Sequence, residues 1–253
     1  MRDRQRGSHP VAAAVALLAM AAVPVAGAGE PRFGIDLETA ALRFSRNDVR
    51  IPGDGGTEFD MSSLTGEDAA PVVRVGLDWR PNERHLLRLV LAPLETSGTG
   101  RLERETVFAG ETFAPGATRG TYKFNTYRLT WRYDFAERGP WHWGAGFTAV
   151  VRDANVELRQ GARVANDDDL GFVPTLHLAG ARRGDRWTLG ATLDGLAGGP
   201  GRLIDLALKL EYRLGDRWRV GGGYRTLEGG ADTDTVYNFA WLHYATLDLG
   251  YRF

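Results

Sequence analysis

His177 and Asp194 fall on the polar faces of two neighbouring predicted strands, and a His beside a carboxylate can hold a general base. The same faces carry Arg74, Asp78, Arg128, Arg132, His142, Asp205, Lys209, Glu211 and Arg225. His142 is a further partner for either member of the pair. Opposite charges turned toward one enclosed space can pair and fill it. An excess of Arg at those positions would instead favour an anionic ligand. No nucleophile accompanies the pair: Ser45, Ser62, Ser63 and Ser97 lie at predicted strand ends or in loops. The spacing of His85, His142, His177 and His243 is not that of metal ligands, so neither a metal nor another cofactor is expected. These residues lean away from an enzyme and leave lipid or peptide hydrolysis as an alternative. The acidic run Asp167 to Asp169 and the group Glu228, Asp232 and Asp234 lack the ordered spacing of a calcium loop and read as solvated loop charge. Arg183-Gly184-Asp185 reads as a turn, because Gly215-Asp216-Arg217-Trp218 repeats the Gly184-Asp185-Arg186-Trp187 pattern elsewhere.

Strands must position these groups, since side chains alternate faces along a strand. Residues 71–80 set Val73, Val75, Leu77 and Trp79 against Arg74, Gly76, Asp78 and Arg80. Residues 121–135 set Tyr127, Leu129, Trp131, Tyr133 and Phe135 against Arg128, Thr130, Arg132 and Asp134. The pattern recurs at 87–92, 141–152, 172–178, 187–194, 204–213, 218–225 and 236–253. In residues 32–44 the apolar parity switches from Phe33, Ile35 and Leu37 to Ala40, Leu42 and Phe44, which predicts a bulge near Glu38-Thr39. Pro174 cannot donate to a ladder, so a bulge or a later strand start is expected there. His243 falls on the apolar face of the last strand, where simple alternation is expected to fail or its imidazole to reach an interface.

About ten strands result, with eight as the alternative. Long loops are expected at 47–70, about 95–120, around 167–169, at 196–201 and at 227–235. Short turns alternate with them. Trp79, Trp131, Trp141, Trp143, Trp187 and Trp218 all lie beside short turns, and only Trp241 lies toward the long loops. With Phe253 they form a set of candidate membrane-interface anchors. The expectation is an all-β fold: one antiparallel up-and-down transmembrane barrel with short periplasmic turns and long extracellular loops.

Arg2, Arg4 and Arg6, the apolar stretch 11–25 and Ala26-Gly27-Ala28 read as a cleaved signal peptide over 1–28, leaving a barrel domain over 29–253. The full chain has 31 basic and 32 acidic side chains; removing three Arg and one Asp leaves 28 and 31, a net charge of −3. Nothing in that balance suggests nucleic acid. No Cys is present, so stability rests on the ladder and on packing.

Two stretches, 222–245 (GGYRTLEGGADTDTVYNFAWLHYA) and 47–60 (NDVRIPGDGGTEFD), resemble segments of a group of uncharacterised, porin-like bacterial outer-membrane barrel proteins. The resemblance extends weakly through APLETSG and YKFNTYRLTWRY. It implies the fold and an outer-membrane location, and it carries no activity. The run Arg225 to Asp232, including Glu228, is the most distinctive piece and a candidate functional or loop-ordering site. The closing strand, ending on Phe253, is similar to the strand read by the insertion machinery of such barrels. Outer-membrane lipid and lipopolysaccharide are the other expected partners. The leading expectation is a structural, small-ligand-binding or narrow-pore barrel with a charged lumen. Surface binding through the loops is the remaining alternative.

Overall fold

A computed structural model describes residues 32–66 and 70–253. The expected signal peptide lies outside the described residues. The elements are β1 (Phe33–Arg50), β2 (Phe59–Asp60), α1 (Ser62–Thr65), β3 (Ala70–Asn82), β4 (His85–Ala92), β5 (Glu95–Leu102), β6 (Thr106–Phe108), β7 (Glu111–Phe113) and β8 (Gly116–Arg138). They continue as β9 (Trp141–Gln160), β10 (Arg163–Arg183), β11 (Trp187–Gly198), β12 (Gly201–Arg213), β13 (Trp218–Asp232) and β14 (Tyr237–Arg252).

Each wall strand pairs antiparallel with its neighbour in the chain, and β14 pairs with β1 from Gly34–Arg252 to Arg50–Tyr237. The sheet therefore closes into a barrel of ten staves. Closure pairs the first and last staves, so neither is left as an open sheet edge. β4 and β5 form one stave. Ala92–Thr126 and Glu95–Lys123 keep a single register along β8, and Pro93 interrupts it. The Leu94 N–H is taken by Asn125 Oδ1 at 3.0 Å.

The connections differ from the expected long–short alternation. β8, β9 and β10 run 23, 20 and 21 residues, whereas β11 and β12 run 12 and 13. The region around Asp167 to Asp169 is strand, joined to β9 by a turn at Gly161, whose φ of 62° suits a hairpin. Residues 196–201 likewise form a tight hairpin, with Gly198 paired to Gly201. Most of 227–235 belongs to β13. The wall is therefore tall at β8–β10 and low at β11–β12. β10 passes through Pro174 without a register shift. Its pairing with β11 ends at Leu176–Gly195, so Pro174 sits where β10 is bonded on one edge only. The acidic run lies on that same free edge, and charge there discourages further pairing.

β1 has no bulge at Glu38-Thr39; its register slips between Phe44 and Arg46. The parity switch has another cause. Asp36, Glu38, Leu42 and Phe44 all point inward, and the lumen itself changes from ionic to apolar along the strand. At the loop end the lumen is filled by an apolar plug built from wall residues such as Leu42, Phe44 and Leu242 and from connections folded inward. Met61 and Leu64 of the α1 segment and Phe108 and Phe113 of β6–β7 are almost wholly buried in it. Gly98 and Gly100 let α1 lie against β5, since a Cβ on Gly100 would meet Ser63 O at 2.0 Å. The outer wall carries Leu89, Leu129, Phe147, Phe172, Leu208 and Leu247, all exposed.

Candidate functional site

The lumen below the plug is a ladder of charge. Alternation turns these groups inward, and ten staves leave room for little besides side chains. Nearest the short turns, Arg132 Nε donates to Asp134 Oδ1 at 2.7 Å and Arg80 to Asp134 at 3.1 Å. His142 meets Glu137 at 3.0 Å, and so pairs with neither His177 nor Asp194. Above them Arg88 bridges Asp36 at 2.8 Å and Asp78 at 2.7 Å, Arg252 reaches Asp78 at 2.7 Å, and Arg219 binds Asp36. Glu211 lies 3.7 Å from Arg219. Next, Glu38 takes Arg74 at 2.9 Å and Lys209, which also binds Asp248.

The uppermost layer is the most buried. Arg128 on β8 contacts Asp205 on β12 and Asp194 on β11, the latter at 3.2 Å. Arg225 Nε donates to Asp205 at 2.7 Å. His177 Nδ1 lies 2.9 Å from Asp194 Oδ1, as the strand reading expects, and Thr148 Oγ1 donates to the same oxygen at 2.6 Å. Asp194 is thus held by His177, Thr148 and Arg128 together, and the pair lies inside a packed charge network. A small cavity of about 20 Å³ beside this layer is lined in part by Arg74, Arg225, Leu227 and Tyr244, enough for one water.

Arg74, Asp78, Arg128, Arg132, His142, His177, Asp194, Asp205, Lys209, Glu211 and Arg225 are therefore brought inward, each with a partner of opposite sign or, for the His side chains, a carboxylate. Two further candidates are not lumenal. Glu228 pairs with Arg202 on the outer wall at 2.6 Å, and Asp232 is exposed at the end of β13. The Arg excess expected of the lumen is also corrected. Asp36, Glu38 and Asp248 supply the missing carboxylates. Asp36 and Glu38 alternate with Phe33, Ile35 and Leu37 on β1, and Asp248 lies on the polar face of β14.

A lateral cleft of about 320 Å³ opens where β3 and β5 part above the Val75–Leu91 pair. Leu42, Phe44, Pro71 and Thr96 line it. The six Trp beside short turns all lie exposed at that end of the barrel, and Trp141 stacks on Trp143 at 6.0 Å. Among the described residues no three His, Asp or Glu side chains converge as a metal site.

One cluster lies outside the wall, and its members are far apart in sequence. His243 keeps outward parity without a break in β14, and the bulge lies beside it on β1, at Ser45. His243 Nε2 is 2.8 Å from Ser45 Oγ. Its Nδ1 is hydrogen-bonded to Tyr224 Oη on β13 and lies 3.3 Å from Thr226 Oγ1. Trp241 Nε1 donates to that Thr226 oxygen at 2.7 Å. Only barrel closure brings Ser45 to His243, so neither strand pattern nor motif spacing could find the pair.

No protein-family model and no curated protein matches this chain. Solved structures do match. The outer membrane protease OmpT from Escherichia coli superposes with a TM-score of 0.58 at 12% identity, over 88% of this chain and 97% of that one. Ail, the attachment invasion locus protein of Yersinia pestis, gives 0.41 at 10% identity over 89% and 100%. Neisserial surface protein A gives 0.36 at 12% identity over 87% and 97%. At such identities only the fold is shared. With its closed ladder and ten staves, the chain has the antiparallel β-barrel fold of outer-membrane proteins.

Proposed function

We propose that this protein is an exported outer-membrane barrel whose lumen is sealed, and that it works through its outer wall and loop end. The observation that carries this reading is an ionic ladder of partnered side chains beneath an apolar plug in which Met61, Leu64, Phe108 and Phe113 are almost wholly buried. In this reading the partnered charges and the plug together close the solute path along the barrel. The lumen's paired charges serve as structural filling, holding opposite staves together. The exposed apolar wall suits contact with lipid and lipopolysaccharide, and the Trp set with Phe253 would anchor the short-turn rim at the interface. In this reading the leader 1–28 directs export, and insertion machinery engages β14 at its Phe253 end.

The test is conductance in planar bilayers. The purified, folded protein should give no steady single-channel steps under an applied voltage. Reproducible steps that change when Arg128 or Lys209 is replaced would overturn the sealed lumen.

A further inference from the structure

We infer that Ser45, His243 and Tyr224 form a hydrolytic site on the outer wall that takes the acyl esters of membrane lipids. The inference rests on the membrane location proposed above and is independent of the lumen. Polar groups on the lipid face of a barrel are costly, so a connected set of them calls for a reason. Here the set has the order of an activated nucleophile: a hydroxyl on a ring nitrogen, and a third group on the other nitrogen. Ser45 Oγ is 2.8 Å from His243 Nε2. Tyr224 Oη accepts from Nδ1–H in the tautomer that leaves Nε2 free to receive the Ser45 proton. Alternation along β1 points Ser45 outward, and the bulge between Phe44 and Arg46 leaves it without a partner in the β14 ladder, beside His243.

The height on the wall selects the substrate. Below His243 on the same outward face lie Leu247 and Leu249, both exposed, and above it lies Trp241, the Trp nearest the loop end. That is the upper edge of the apolar band, where the ester carbonyls of a leaflet sit between acyl chains and head groups. Arg43 is opposite His243 in the β1–β14 register and is exposed. Among the described residues it has no carboxylate within ion-pair distance, so it is placed to hold a lipid phosphate.

The chemistry balances with water as the only co-reactant. Ser45 Oγ attacks the ester carbonyl carbon, and its proton passes to His243 Nε2. The carbon–oxygen bond to the lipid alcohol breaks, and the alcohol leaves with that proton. Water then attacks the acyl–Ser45 ester, with His243 taking and returning a proton. A free fatty acid leaves, and the Ser45 hydroxyl is restored.

The experiment uses the full-length protein, folded in detergent micelles, with a long-chain alkyl fluorophosphonate as probe and phosphatidylethanolamine in mixed micelles as substrate. Mass spectrometry should find the adduct on Ser45, and fatty acid should be released. Ser45→Ala and His243→Ala should each lose the adduct and lower release by about 100-fold or more. Tyr224→Phe should lower kcat by a smaller factor and move the pH profile, which a purely structural role would not do. Arg43→Gln should raise KM with kcat kept. Heat-modifiable gel mobility confirms that each variant is folded. Absence of both adduct and release, or release that survives Ser45→Ala, would overturn the site. Chemistry at Ser45 is read in micelles, so a failure of the membrane location, seen by cell fractionation, is distinguishable from a failure of the site.

Discussion

Arg128 reaches across the lumen from β8 to Asp205 on β12, four staves round the wall, and both side chains are buried. Arg225 binds the same carboxylate from the next strand. Removing one member of a buried pair leaves the rest charged and uncompensated, at a cost of about 3–5 kcal/mol. Asp205→Ala strands Arg225 and leaves Arg128 with Asp194 alone, and should cost about that much, read as a shift in the urea midpoint for folding into vesicles. Glu228→Ala breaks the Arg202 pair on the outer wall, where Arg202 is 45% exposed, and should cost about 0–1 kcal/mol. Equal effects from the two variants would show that the lumenal pair is solvated.

Gly100 and Ser63 give a second test. A side chain at 100 would overlap the Ser63 carbonyl, which is backbone and cannot step aside. Val suits a strand, so Gly100→Val should keep β5 on β8 and displace α1 instead. Limited proteolysis should then cut within 51–66 in the variant at protease levels that leave the wild type whole. If the variant resists equally, α1 is not held by that contact.

The barrel was legible because each wall strand is two-sided along its length. The ladder of charge was legible for the same reason, and His177 and Asp194 were paired correctly because they sit on adjacent strands. The plug was not legible. Phe59, Met61, Leu64, Phe108 and Phe113 are dispersed among Gly and polar residues, so local composition read as solvent-exposed loop. In β1 the apolar parity switch was real, but its cause lies in what faces Leu42 and Phe44 across the lumen. Ser45 and His243 stand 198 residues apart, and only the last ladder to close makes them neighbours.

Asp167 supplies a pH dependence in the upper part of β10, beyond its last pairing with β11. Burial raises its pKa above the ordinary Asp value of 3.8, and Asp168 and Asp169 beside it add to the rise. The folded hairpin therefore holds the proton more tightly than the unfolded chain. Its contribution to stability is present below the ordinary value and is lost as pH rises through the raised one. Carbon-detected NMR titration should place the Asp167 midpoint above that of an exposed Asp. Asp168→Asn should lower it only in part, because burial is the larger cause. A midpoint at the ordinary value in the wild type would contradict the burial.

Phe33 and Phe253 close the barrel at the short-turn end. Phe33 N–H donates to Phe253 O at 3.2 Å and Phe253 N–H to Phe33 O at 3.0 Å. Their rings stack at 6.1 Å, and the row continues to Trp79 on one side and Tyr251 on the other. Backbone and ring contributions can be separated. Phe253→Ala keeps both hydrogen bonds and loses the ring, at about 1–2 kcal/mol for half-buried aromatic surface. Deleting residue 253 also removes the hydrogen bonds, each adding about 1 kcal/mol. The deletion should therefore lower the urea midpoint by more than the substitution, and both should slow insertion into vesicles, where the β14–β1 ladder must close before lipid can seal around it. If the two variants match, closure does not depend on the terminal pair, and the ring alone accounts for the role of Phe253.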